Sequence, residues 1–206
     1  DFKYKFSWSP LGVLKALRSP SKSIKDYKEF EVDKPWNAIK SYDAPLEQPE
    51  SFEVYPNRDS LPFIKQYHFD PNWKIKQFVR GTLRLNGWSK AWQNVFEEIE
   101  MLSGPTGETR LHEMSNQFWK DNSYEEGEPD RVVLCVGLKA QKENITQWHK
   151  TYVMDAWGDN ESTAMARLVS FPLSYSIEAI LSDKIPPGVH AASDNLILIT
   201  EWLEKI

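Results

Sequence analysis

Hydrophobic residues recur with two different periods along this chain, and the order in which those periods alternate most narrows what it can fold into. A period-two run from Lys76 to Leu85 puts Phe78, Arg80, Thr82 and Arg84 on one face of a strand and Val79, Gly81, Leu83 and Leu85 on the other. Shorter strands are predicted at Glu29 to Val32 and Phe52 to Tyr55. Arg131 to Lys139 and Trp148 to Trp157 make two longer ones, joined as an antiparallel hairpin by a polar connection. Helical spacing appears between them. Ser9 caps and Pro10 opens a first helix bearing Val13, Leu14 and Leu17, closed by Ser19-Pro20. Residues 59–68 form a short helix capped by Asp59 or Ser60, with Leu61, Ile64 and Tyr67 on one face. Trp92, Phe96, Ile99 and Met101 or Leu102 share a helical face between Trp88 and Leu102, and Leu111 to Trp119 leaves room for another helix. Ser162 to Leu181 is a long helix, with a kink expected at Pro172, and Leu196 to Leu203 is the last. Residues 33–51, with Pro35, Pro45 and Pro49, read as a surface loop. This order predicts an α+β fold: a single mixed open β-sheet covered by helices on one face, with residues 86–130 as a small, partly helical insertion.

A length of 206 residues suits one compact domain with a real core. The formal net charge of −5 argues against a general nucleic-acid or membrane-surface binder, since either wants a basic surface. No apolar run approaches the length of a membrane span and no signal-peptide pattern opens the chain, so a cytoplasmic location is expected. The single cysteine, Cys135, lies in an apolar run and reads as a buried core thiol. Nine tryptophans without a fixed spacing are expected to anchor the core and a subunit interface. A chain that opens on Asp1 and enters a structured pattern at once is expected to be a piece of something longer.

Against this acidic background, three arginines fall in two short motifs: Arg58 in Tyr55-Pro56-Asn57-Arg58-Asp59-Ser60, and Arg80 and Arg84 in Arg80-Gly81-Thr82-Leu83-Arg84. Guanidinium groups match carboxylates or phosphates bidentately, so the cluster suggests a small polyanion, against the alternative of a solvated face or structural ion pairs. Other chemistry is missing. Neither Gly-x-Gly-x-x-Gly nor Gly-x-x-x-x-Gly-Lys-Ser/Thr occurs, and Gly104-Pro105-Thr106-Gly107 reads as a turn. His68, His112, His149 and His190 lack ligand spacing, so no metal is expected. The acids Asp155, Asp159 and Glu161 fit a strand-to-helix turn better than a calcium loop.

Taken in order, four segments resemble the saccharopine dehydrogenase (L-glutamate-forming), or saccharopine reductase, family: Phe6-Ser7-Trp8-Ser9 with the helix after it, Tyr55 to Ser60, Arg80 to Arg84, and Thr163-Ala164-Met165-Ala166-Arg167-Leu168-Val169. The resemblance covers most of the chain except roughly 86–130, where the family carries a longer helical insertion. It implies that residues 1–206 are the C-terminal substrate-binding and dimerisation domain of a two-part enzyme, without the N-terminal Rossmann domain that holds most of the NADP(H). It further implies a homodimer and a tricarboxylate amino-acid substrate. Relatives condense L-glutamate with 2-aminoadipate 6-semialdehyde and reduce the imine to saccharopine, or run the reverse. By motif, Arg58 and Arg84 become carboxylate clamps, each worth about 1.5–3 kcal/mol, with Arg80, Asn57 and Thr82 as supporting polar groups. No residue here is expected to bind cofactor, and no catalytic acid or base is assigned. Many family members have arginine before the glycine of the first motif, where this chain has Leu11. A lysine 6-dehydrogenase-like enzyme and a non-catalytic binding domain that retains the fold are the alternatives.

Overall fold

The computed structural model describes residues 1–190 and 192–205. These divide into two compact units, residues 1–125 with 133–155 and residues 126–132 with 156–206. The α+β class holds. Among the described residues, however, the strands form three small antiparallel sheets rather than a single mixed one.

In the first unit, helix α1 (Pro10–Leu17) starts as predicted: Ser9 Oγ accepts from Gly12 N–H at 3.3 Å and Pro10 occupies the first turn. Its buried stripe of Val13, Leu14 and Leu17 faces a cluster with Phe6, Tyr55, Trp88, Trp92, Phe96, Ile99, Leu111 and Met114. Each such burial is worth about 1.5–3 kcal/mol. Strands β1 (Ser21–Lys25) and β2 (Lys28–Val32) form a hairpin, β3 (Lys40–Ala44) and β4 (Glu50–Pro56) another. The sequence pattern missed β1 and β3. Ser-Lys-Ser-Ile-Lys and Lys-Ser-Tyr-Asp-Ala carry too few apolar side chains to show a period, and Ser21 and Ser23 are nonetheless buried.

Helix α2 (Pro62–Gln66) follows, and then the predicted strand Lys76–Leu85 proves to be two. Its first part, β5 (Gln77–Phe78), joins β1; its second, β6 (Gly81–Leu85), joins β4. The chain changes sheets at Val79-Arg80, so Phe78 and Arg80 do not share a sheet face with Thr82 and Arg84.

The segment 86–130 is largely helical: α3 (Trp88–Ala91), α4 (Gln93–Met101) and α5 (Gly104–Asn122). Gly104-Pro105-Thr106-Gly107 is the first turn of α5 rather than an isolated turn. Proline suits that position because its missing N–H has no intrahelical acceptor there.

Strands β7 (Arg131–Lys142) and β8 (Ile145–Trp157) extend the predicted hairpin to a two-residue turn. Glu143 and Asn144 both have positive φ, 52° and 65°, the turn geometry that matches strand twist. Val133 and Cys135 pack on a second cluster of Ala44, Leu46 and Phe52. Cys135 is therefore half-buried at its margin, not enclosed. Trp88 and Trp92 are core residues, but Trp8, Trp73, Trp119, Trp148 and Trp157 are exposed, so the tryptophans are not chiefly core anchors.

The second unit holds α6 (Ala164–Leu181), with Pro172 inside it, and α7 (Leu196–Lys205). The cap of α6 is Thr163, whose hydroxyl accepts from Ala166 N–H at 3.1 Å. Asp130, 1% exposed, reinforces it by accepting from Ala164 N–H at 2.5 Å and Met165 N–H at 3.0 Å.

Candidate arginine site

The two arginine motifs meet through backbone. Asn57 N–H donates to Arg80 O at 2.8 Å, and Arg80 N–H donates to Ser60 Oγ at 3.0 Å. Lys22 of β1 closes the clasp, donating to Arg58 O at 3.0 Å while its carbonyl accepts from Ser60 N–H at 2.8 Å. Ser60, fully enclosed, is the pivot, and Asp59 caps the start of the next turn by accepting from Leu61 N–H at 2.9 Å.

Within this clasp Arg58 takes a left-handed backbone, φ 54°. For a residue with a Cβ that conformation costs about 1–2 kcal/mol. The Arg58 side chain is exposed and makes no hydrogen bond or ion pair with any described residue. Arg80 is also exposed, with its guanidinium over the Phe63 ring of α2, Cζ 3.6 Å from the ring centre. Asn57 turns its Oδ1 inward, where it has no hydrogen-bond partner within the protein.

Arg84 and Thr82 lie further along β6, on the face toward the main core. Tyr55 of β4 is the cross-strand partner of Thr82. Arg84 Nη2 donates to the Tyr55 hydroxyl at 3.1 Å and Nη1 to Leu83 O at 3.2 Å. Tyr4, Trp88 and Tyr55 surround the guanidinium, with ring centres 4.6, 5.4 and 5.7 Å from Cζ. Tyr4 is held by Trp8, whose indole N–H donates to its hydroxyl at 3.1 Å, so the Phe6-Ser7-Trp8-Ser9 motif shapes the same cage. Burial raises the Tyr55 phenol above its ordinary value, and the Arg84 charge and the Thr82 hydrogen bond only partly oppose this. Tyr55 is a neutral phenol here.

Arg84 has no carboxylate among the described residues within ion-pairing distance, and its Nε is enclosed without an acceptor. A partly buried cation is ordinarily matched by an acid. This one is held by aromatic faces, a phenol and a carbonyl, which position the charge without cancelling it.

Arg58, Arg80 and Asn57 are thus tied to one another, whereas Arg84 and Thr82 form a separate, inner cluster. Sequence patterning does not single out Tyr4, Tyr55, Trp88 or Phe63. Tyr55 is within its reach, since it opens the Arg58 motif. Leu11 packs at the edge of the core.

The start of α6 is closed to a dinucleotide pyrophosphate. At the one strand-to-long-helix turn, β8 to α6, the helix N–H groups that would meet a pyrophosphate are taken by Asp130 and Thr163. A Cβ on Gly158 would stand 2.5 Å from Asp130 Oδ1, so the space beside this glycine is filled by that carboxyl group. Among the described residues, no group of three His, Cys, Asp or Glu side chains converges as a metal site would, and no helix is long and apolar enough to cross a membrane.

Comparison with known proteins gives concordant matches. Residues 1–205 match the family model described as the saccharopine dehydrogenase C-terminal domain. A saccharopine dehydrogenase (NADP(+), L-glutamate-forming) of Schizosaccharomyces pombe is 24% identical over 267 residues, covering 93% of this chain and 57% of its own length. That alignment is longer than this chain, so the relative carries residues without a counterpart here. The corresponding protein of Pyricularia oryzae is 39% identical over 100 residues, 48% of this chain and 21% of its own. Among solved structures, apo histidine-tagged saccharopine dehydrogenase (L-Glu forming) from Saccharomyces cerevisiae has the same fold, with a TM-score of 0.73 at 22% identity. The likeness covers 98% of this chain and 60% of that one. The chain thus spans less than two thirds of each of these proteins.

Proposed function

Because the chain belongs to the saccharopine dehydrogenase C-terminal domain family, we propose that it is the substrate-holding part of an oxidoreductase that forms saccharopine from L-glutamate and 2-aminoadipate 6-semialdehyde, or runs the reverse. Its task is to hold a tricarboxylate amino acid so that the imine carbon faces a hydride donor. NADP(H) supplies the hydride, held by a Rossmann domain outside residues 1–206.

One observation carries this reading: Arg84 is a partly buried guanidinium that forms no ion pair with any described residue. In this reading it is the inner carboxylate clamp. Tyr55 and the aromatic faces hold its plane, and Thr82 holds Tyr55. Arg58 and Arg80 form the outer clamp, in the open where the far end of a long substrate lies. A substrate with three carboxylates needs more than one such contact, and orientation by several fixed charges is what aligns the reacting carbon. The helices of 86–130 are then a shortened insertion, with Trp88 contributing to the inner wall.

The test is Arg84→Lys in the full-length protein. Lysine keeps the charge but not the flat fork that stacks between the rings. KM for saccharopine should rise about tenfold or more while KM for NADP is unchanged. Equal effects on both, or none, overturn the assignment. Residues 1–206 alone should leave NADPH unoxidised when mixed with both carbon substrates; turnover by this segment contradicts the division of labour. The same reading makes the full-length protein a homodimer, which sedimentation tests.

A further inference from the structure

Glu53 and Arg84 are directly opposed across β4 and β6, so their side chains leave the sheet on one face. An acid and a base so placed ordinarily pair. These do not. Glu53 Oε1 accepts from Gly87 N–H at 3.2 Å and Ser89 Oγ at 3.0 Å, and Oε2 accepts from Ser89 N–H at 2.7 Å. The donors lie there because Gly87 adopts φ 86°, a conformation open to glycine, which turns the chain from the end of β6 into α3. Arg84 is left with two neutral acceptors, the Tyr55 hydroxyl and Leu83 O. The same three bonds grip the residues on either side of Trp88, which is 0% exposed and whose ring lies 5.4 Å from Arg84 Cζ.

We propose that Glu53 is a positioning residue, latched by Ser89, whose capture keeps Arg84 unneutralised for an external carboxylate. The inference rests on the reading of Arg84 as the inner clamp. Its bonds to Gly87 and Ser89 stabilise the start of α3 as Asp130 does that of α6. The same capture serves a binding site that must present a bare guanidinium, because a free carboxylate on the opposed strand position would compete with the ligand. Ser89 supplies two of the three donors, one from its backbone and one from its hydroxyl. The hydroxyl bond can be removed without disturbing the helix.

The experiment compares L-saccharopine affinity by titration calorimetry in the full-length protein and in Ser89→Ala, Ser89→Ala/Glu53→Gln and Arg84→Lys, with thermal melts as a folding check. Ser89→Ala loosens Glu53, and competition from a cross-strand acid should weaken saccharopine binding about fivefold. Glu53→Gln in that background removes the competing charge and should restore affinity to within about twofold. A purely structural Ser89 would not be rescued by neutralising Glu53. Unchanged affinity in Ser89→Ala, or a loss that Glu53→Gln does not repair, overturns the latch while leaving the Arg84 reading intact. Unchanged affinity in Arg84→Lys overturns that reading and the latch with it.

Discussion

Replacing Arg58 by glycine separates binding from stability. In the structure Arg58 sits at φ 54° with an exposed side chain that has no partner among the described residues, while its backbone carbonyl is bonded to Lys22. Glycine keeps that backbone bond and relieves a left-handed conformation worth about 1–2 kcal/mol. It also makes the unfolded chain more flexible, which takes back about 0.4–1 kcal/mol. The net change lies between about zero and 1.6 kcal/mol in favour of the folded state, so the melting temperature should hold or rise by a few degrees. If Arg58 holds a substrate carboxylate, its loss removes about 1.5–3 kcal/mol of binding, about a tenfold to 150-fold drop in affinity. Thermal melts and saccharopine titrations on the full-length protein read both quantities. Arg58→Ala is the companion: it keeps the left-handed cost, should melt with the wild type, and should lose as much affinity. A melting temperature lowered by several degrees in Arg58→Gly would mean that the side chain is structural after all. Unchanged affinity in both variants would refute its place in the site.

Other consequences can be checked separately. Tyr55→Phe removes the phenol that holds Arg84 Nη2 and should weaken saccharopine binding several-fold at a stability cost of about 1 kcal/mol, read by calorimetry and denaturant melts. The Tyr55 phenol is raised above 10.0 by burial, so its neutral form is favoured by folding. That contribution is complete below about pH 10 and is lost as pH rises through the folded value. In an alkaline absorbance titration Tyr55 should ionise late, and the late step should shrink in Tyr55→Phe. Gly158→Ala drives a Cβ to 2.5 Å from Asp130 Oδ1, an atom already committed to the start of α6. It should destabilise by about 2 kcal/mol or more in thermal melts, and a neutral result would show that this turn relaxes freely.

What could be read from sequence divides along physical lines. Helix α1 was legible because its signals are local: a serine cap, a proline in the first turn and three apolar residues at helical spacing. Strands β1 and β3 were not, since their residues are mostly polar and their burial is set by neighbours that single-strand periodicity cannot see. The run Lys76–Leu85 carried the right alternation but hid the change of sheet at Val79-Arg80, which moved Arg80 away from the face of Thr82 and Arg84. The arginines themselves were legible as residue types in an acidic chain. Their division into an open pair and a caged single one was not, because it depends on Phe63 under Arg80 and on Tyr4, Tyr55 and Trp88 around Arg84. Except for Trp88, four residues after Arg84, those rings arrive from other segments of the chain.

Whether Arg84 reads a substrate carboxylate can be seen in a crystal structure of the full-length protein with bound L-saccharopine. A carboxylate oxygen should lie about 2.7–2.9 Å from an Arg84 nitrogen, with Glu53 still on Gly87 and Ser89. Saccharopine bound with all of its carboxylates on other residues, and Arg84 bonded only to Tyr55 and Leu83, would contradict that role.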